Sequence, residues 1–412
     1  MDQDTTSPKP LPDRFFIRTG WLLDGLGWPP AAGAVIEVRA GRVHAVLRPG
    51  EATAGAVLDL SDCTVIPGLA DAHLHLAMSG EPDPVVRERQ LDPDWPMART
   101  FIEKHLVSCM AHGVVAARDG GDCRGFALRY LASGLPAHGV AVRASGRAWH
   151  SAGRYGGLIG RCPGPGRSLA REIVEEAGPR GVVKIVQSGL NSLVEYRRLT
   201  PPQFTFTEMA AAVEAARALG LSVMAHANGE EPVQIAVLAG VASVEHGFFM
   251  GRKNLELMAE KEVIWVPTAV TMAAYARVLA KGSPQAEMAE KILEDQLVQL
   301  GMARELGVRV AVGTDAGSPG VAHGEAVGWE MELFTRAGYS PGEAVRAASH
   351  EGARLLDLPN LGSLTPGKDA TLVAVPGPPE RVAEGLARPG GVMVRGRVVL
   401  GEKLMETEDY AE

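Results

Sequence analysis

His73 and His75 close the run Pro67-Gly68-Leu69-Ala70-Asp71-Ala72-His73-Leu74-His75. Residues two apart in a strand point to the same side, so both imidazoles can chelate one ion. Lys184 stands inside Gly181-Val182-Val183-Lys184-Ile185-Val186. A lysine in a buried apolar strand is unfavourable unless something neutralises or pairs it. Burial also lowers its pKa towards a neutral, reactive amine. Such an amine can add carbon dioxide and become a carbamate, an anion whose two oxygens can bridge two metals. The competing reading is a lysine that carries its ammonium to the strand end and meets a carboxylate there. His226 ends Val223-Met224-Ala225-His226, His246 ends Ser243-Val244-Glu245-His246, and Asp315 ends Val310-Ala311-Val312-Gly313-Thr314-Asp315. Taken singly, each has an ordinary explanation: a histidine satisfied in the core, an aspartate suited to a turn. Together they put ligand-type side chains at one strand end after another. Neutral imidazole and carboxylate oxygen suit zinc and similar divalent ions.

Substrate contacts must come from loops near those ends. His150, Arg154 and Tyr155 follow the third candidate strand, Tyr196 lies shortly after Lys184, and His323 follows Asp315. Tyr196 could donate to a substrate carbonyl, and His323 could either contact substrate or pack. The alternative for His150, Arg154 and Tyr155 is a solvated loop. His44, His105, His112, His138 and His350 fall on hairpin or helical segments and read as structural. Trp265, Trp329 and Phe248 read as core, and Arg197 and Arg198 as solvated surface.

The elements that must position these groups are short apolar runs at 65–76, 114–118, 140–144, 182–186, 222–227, 242–246, 263–267 and 310–315. Helical stretches separate most of them. One spans 207–219 with Thr207 as N-cap. Another opens at Ser340-Pro341-Gly342-Glu343, a capping-box pattern with Pro at N1. Repeated strand–helix units predict a parallel sheet. Eight of them predict a (β/α)8 TIM barrel, in which catalytic groups gather at the C-terminal strand ends. A doubly wound open sheet is the alternative. The ends read differently. Runs at 15–19, 34–38 and 42–46, then 370–375 and 391–400, are strands with Gly-centred turns. They predict a small β-sandwich domain from residues 1–66 and 361–412, with the barrel at 67–360 between them.

Composition excludes several classes. Hydrophobic residues are 46% and charged residues 22% of 412 positions, which fits a globular core rather than disorder. Forty-one basic against 49 acidic residues give a net charge of −8, unlike a nucleic-acid binder. The scattered Cys63, Cys109, Cys123 and Cys162 form no CxxC pair and read as reduced. No apolar run is long enough to span a membrane, and the polar start of the chain lacks a signal-peptide pattern. A cytoplasmic protein with a small-molecule substrate, and with neither nucleic acid nor membrane as partner, is expected. A homo-oligomer is compatible with the sequence.

The run 65–75 and Gly313-Thr314-Asp315 resemble the opening and closing motifs of the amidohydrolase superfamily, binuclear branch. Lys184-Ile185-Val186-Gln187-Ser188-Gly189, Ala225-His226-Ala227-Asn228-Gly229 and 239–247 are similar to its Xaa-Pro dipeptidase and imidazolonepropionase-like hydrolases. The resemblance implies two divalent ions, zinc first among the metals. His73, His75 and Asp315 would bind the buried ion and His226 and His246 the exposed one. The carbamate of Lys184 and a hydroxide would bridge both. It implies Asp315 and Lys184 as catalytic groups, Asp315 relaying the proton to the leaving amine. Dipeptide-cleaving members usually carry a Gly-rich turn with His after strand 3; 148–157 departs from that pattern. The expected activity is hydrolysis of an amide or related C–N bond in an N-acyl amino acid, dipeptide or similar molecule. A cyclic-amide or imide hydrolase or a deaminase is the alternative, which one metal per chain would favour. A binding protein that kept the barrel is the non-enzymatic one, opposed by the complete ligand set.

Overall fold

Two-residue turns with left-handed backbone set the strand pairing at each end of the chain. Ala40 and Gly41 both have positive φ (47° and 75°), as do Arg395 and Gly396 (50° and 74°). Two such residues in a row match the right-handed twist of the flanking strands. Val35–Arg39 therefore folds back on Arg42–Leu47, and Gly391–Val394 on Arg397–Leu400. The computed structural model describes residues 11–51, 55–91, 93–176, 181–404 and 407–409.

Both ends share one nine-stranded sheet. Its seam is the antiparallel pairing of Leu372–Pro376 with the far end of Ala56–Pro67, Leu372 opposite Pro67 and Pro376 opposite Cys63. Arg14–Leu22 runs parallel to Ala56–Pro67 on its other side. The apolar faces of these strands form their own cluster around Ile17, Ile36, Leu58, Leu372 and Met393.

The middle of the chain is parallel. Leu69–Leu74, Val114–Asp119 and Ala141–Ala144 form one sheet. Ala148–Trp149, Val182–Val186, Ser222–Ala227, Ser243–His246 and Ile264–Val266 lie in another, edged by Gly160–Arg161. Most of these strands are buried along their whole length, as parallel strands covered by helices must be.

Two sequence expectations change here. The run 65–76 is divided: its start belongs to the Ala56–Pro67 strand of the end sheet, and only Leu69–Leu74 lies in the parallel layer. The run 310–315 is not a strand. It is an irregular segment that still joins the two parallel sheets. Ala311 N donates to Trp265 O at 2.9 Å, and Ala72 N donates to Val312 O at 2.9 Å. Thr314 and Asp315 both donate to the carbonyl of His73. Doubling two amides on one carbonyl breaks the even spacing of a ladder, which is why no regular strand forms.

The helix expected at 207–219 spans Phe206–Ala218, and its cap is Thr205, not Thr207. Thr205 Oγ1 accepts from Glu208 N, while Glu208 Oε2 accepts from Thr205 N at 2.8 Å. Glu208 at the third position makes Thr205 the better choice. Thr205→Ala is expected to destabilise the protein by about 1 kcal/mol. A urea-unfolding midpoint equal to wild type would show that water replaces the cap. Ser340 caps Pro341–Arg346 as expected, and the chain continues as a π-helical turn over Ala347–Glu351.

Candidate metal centre

The register of the parallel strands carries the polar side chains to one place. Val186 pairs with His226, and Ala227 pairs with His246. His246 and Asp315 both adopt left-handed backbone, φ 68° and 55°. Such conformations are rare without glycine and gather at functional sites. They turn each side chain inward as its strand or segment ends.

Four imidazoles, one amine and one carboxylate border a single cavity of about 350 Å³. Asp315 Oδ1 lies 3.1 Å from His75 Nε2 and 3.5 Å from His73 Nε2, and the donors of these three residues lie within 4.8 Å of one another. Lys184 Nζ is 3.3 Å from His73 Nε2. The His226 and His246 rings are 4.4 Å apart, and His246 is 5.1 Å from His73.

Polar contacts behind the rings set which nitrogen faces the cavity. His75 Nδ1 donates to Gly121 O at 2.7 Å, and His226 Nε2 donates to Gly189 O at 3.2 Å. His246 Nδ1 is 2.7 Å from Thr268 Oγ1, and His73 Nδ1 is 2.9 Å from Glu245 Oε2. Engaging one nitrogen leaves the other able to bind a metal, the pattern that orients metal-binding histidines. Glycine makes room. A Cβ at Gly120 would come within 2.9 Å of the His75 ring and 3.1 Å of His73 Nε2.

Burial decides the charge states. It pulls His73 down to about 4 and His226 to about 3, and holds His246 well below its ordinary value. Neutral imidazoles are what a metal requires. Burial brings Lys184 down to about 8, within reach of the neutral amine. For His75, burial works downward, but the Asp315 carboxylate outweighs it and raises the ring. For Asp315, burial works upward, but His75 and then His73 and His246 hold it well below the usual carboxylate range. The donor set, with three of its imidazoles held neutral, and the glycine-cleared space fit divalent ions.

Below the donors lies a layer that sequence reading did not assign. Arg118 is fully buried and donates to Ala72 O at 2.7 Å, to Ser243 Oγ and to Glu245 Oε1 at 2.9 Å. Asp71 accepts from Thr314 Oγ1 at 2.6 Å and from His73 N at 3.1 Å, tying the first strand to the closing segment. The available signal was charge inside buried apolar runs, since a buried ion needs a partner.

The loop candidates divide. Tyr155 borders the cavity, its ring 5.5 Å from His226. His150, Arg154, Tyr196 and His323 are not among the lining residues. His150 Nδ1 meets Ser151 O, Arg154 donates to Pro201 O, and Tyr196 donates to Asp295. His323 stacks on His105 at 3.8 Å and donates to the carbonyl of His75 at 3.1 Å. Phe248, read as core, borders the cavity while also packing in the core. Arg87, Asn191, Thr271, Tyr275 and Ser318 line it too. They sit on helices and loops whose sequence carries no motif. A wider cleft of about 610 Å³ between Arg277, Trp329 and Glu325 contains none of the six polar donors.

An α/β fold that gathers imidazoles, an amine and a carboxylate at its strand ends is the architecture of a hydrolase whose chemistry lies at the mouth of the sheet. Residues 64–399 match the family described as Amidohydrolase family, and the chain belongs to it. Imidazolonepropionase of Streptomyces griseus is 25% identical over 347 residues, 78% of this chain and 80% of that protein. A solved Xaa-Pro dipeptidase with bound methionine is 25% identical with a TM-score of 0.78, covering 93% of this chain and 99% of its own. The ochratoxinase structure from A. niger superposes with a TM-score of 0.77 at 21% identity, over 94% and 96% of the two chains. The fold is thus TIM-barrel-like, and the chain is a hydrolase of carbon–nitrogen bonds.

Proposed function

We propose that the chain hydrolyses an amide or related C–N bond of a small molecule in the cytoplasm, with a binuclear metal centre. His73, His75 and Asp315 would hold one ion, His226 and His246 the other, and Lys184 would lie between them as its carbamate. Zinc fits this donor set best. Two divalent ions there would supply Lewis acidity and bring the pKa of a water down towards about 7. The chain's own groups do the rest. Asp315 takes the proton of the attacking water at a carboxylate oxygen and returns it to the leaving amine. Ser318 Oγ donates to Asp315 Oδ2 at 2.9 Å, which keeps Oδ1 turned towards the two histidines. Tyr155 lies against the substrate. His150, Arg154 and Tyr196 would act by fixing the surrounding loops, and His323 by fixing the backbone of His75.

The observation that carries this reading is the convergence of six ligand-type side chains on one buried cavity. The division into 67–360 and a smaller β domain from 1–66 and 361–412 is supported by the separate apolar cluster at the ends. The test is a hydrolysis screen of N-acyl amino acids, dipeptides, cyclic imides and carbamates, with metal measured on the same sample. Two equivalents of metal and turnover that a chelator abolishes are expected. Turnover unchanged by complete metal removal would sink the proposal. A cyclic-amide hydrolase or deaminase is the second reading, favoured by the likeness to imidazolonepropionase. One metal per chain would turn the choice to it.

A further inference from the structure

Helix Pro84–Leu91 follows the first parallel strand and brings Arg87 to the rim of the cavity. The side chain is half-buried. Arg87 Nη1 donates to Gly317 O at 3.0 Å. Among the described residues, no carboxylate lies within ion-pair distance of it. A guanidinium has five N–H donors and cannot lose its charge. Here one donor meets a carbonyl, and burial already works against the cation. Asp315 attracts it only through space, so its remaining donors are open to an anion, and a charge-assisted hydrogen bond there is strong.

The rest of the cavity indicates what that anion is attached to. Leu158, Ile159, Leu190 and Leu193 make an apolar wall, and Tyr275 lines the same space. Gly317, which Arg87 holds, lies two residues beyond Asp315. An anion bound at Arg87 would therefore sit beside the loop that carries the proton relay.

We propose that Arg87 anchors a carboxylate of the substrate, so that this hydrolase acts on anionic amides bearing an apolar side chain. The proposal rests on the reading of this cavity as the reactive site. Arg87 is a specificity-determining residue in this scheme. Planar, bidentate capture of a carboxylate is what arginine does better than lysine.

The test compares N-acetyl-L-leucine with N-acetyl-L-leucinamide as substrates of the full, metal-replete chain. It also measures calorimetric binding of an uncleavable analogue, in which CH2 replaces the amide N–H, and of its methyl ester. Wild type should prefer the carboxylate by about 10–100-fold in KM and in Kd, the worth of one charged hydrogen-bonded contact. Arg87→Met should abolish the preference in Kd and in KM, and Arg87→Lys should keep part of it. Circular dichroism checks that each variant is folded. Equal affinity for acid and ester in wild type, no binding of either, or an undiminished preference in Arg87→Met overturns the assignment. If neither substrate is cleaved, the amide-hydrolase reading suffers, and the titration still decides Arg87.

Discussion

Asp315→Asn should retain both metals and lose turnover, with kcat falling about 10³-fold, in the range for a positioned general acid–base group. The substitution keeps shape and one oxygen, so the 3.1 Å approach to His75 Nε2 can survive. It removes the basicity that accepts a proton. The informative measurement is therefore kcat together with metal content. A variant that keeps its metal and loses only a few-fold in kcat would remove Asp315 from the proton path. A variant that loses its metal would reassign it to coordination alone.

The second large effect is on stability. Arg118 and Glu245 are both fully buried, 2.9 Å apart, and neither reaches water. Arg118 holds Glu245 down to about 2, against the upward pull of burial. Glu245→Gln leaves the guanidinium charged in the interior, and an unpaired buried ion costs about 3–5 kcal/mol. Arg118→Met should cost a similar amount. The double variant should lose much less than the sum, because no bare charge remains. Urea unfolding of the four proteins measures this. Additive losses, or a Glu245→Gln loss below about 1 kcal/mol, would mean that solvent reaches the pair. Glu245 also backs the His73 ring, so the single variant should bind metal less tightly even where it remains folded.

Arg118 and Glu245 also mark the limit of what the sequence could disclose. Each was visible as a charge within an apolar run, as Lys184 was, but nothing local says that one meets the other. They come from strands 127 positions apart. The histidines around the cavity were legible for the opposite reason. His73, His226 and His246 repeat one local pattern, a polar side chain where an apolar strand ends, and strand periodicity needs no tertiary knowledge. Thr205 was missed as a cap only because the box depends on Glu208 three positions on, which Thr207 lacks.

By itself the sequence determined the alternation of strand and helix, the type of side chain at each strand end, and so the class of chemistry on offer. Those properties depend on neighbours within a few residues. The tertiary structure alone decided that the 310–315 segment closes the centre as an irregular turn, with Asp315 in left-handed backbone. It alone brought Arg87 and Tyr275 to the cavity and turned Tyr196 and His323 towards other partners. The physical reason is that packing between distant segments sets where a loop side chain points, and no local periodicity encodes it.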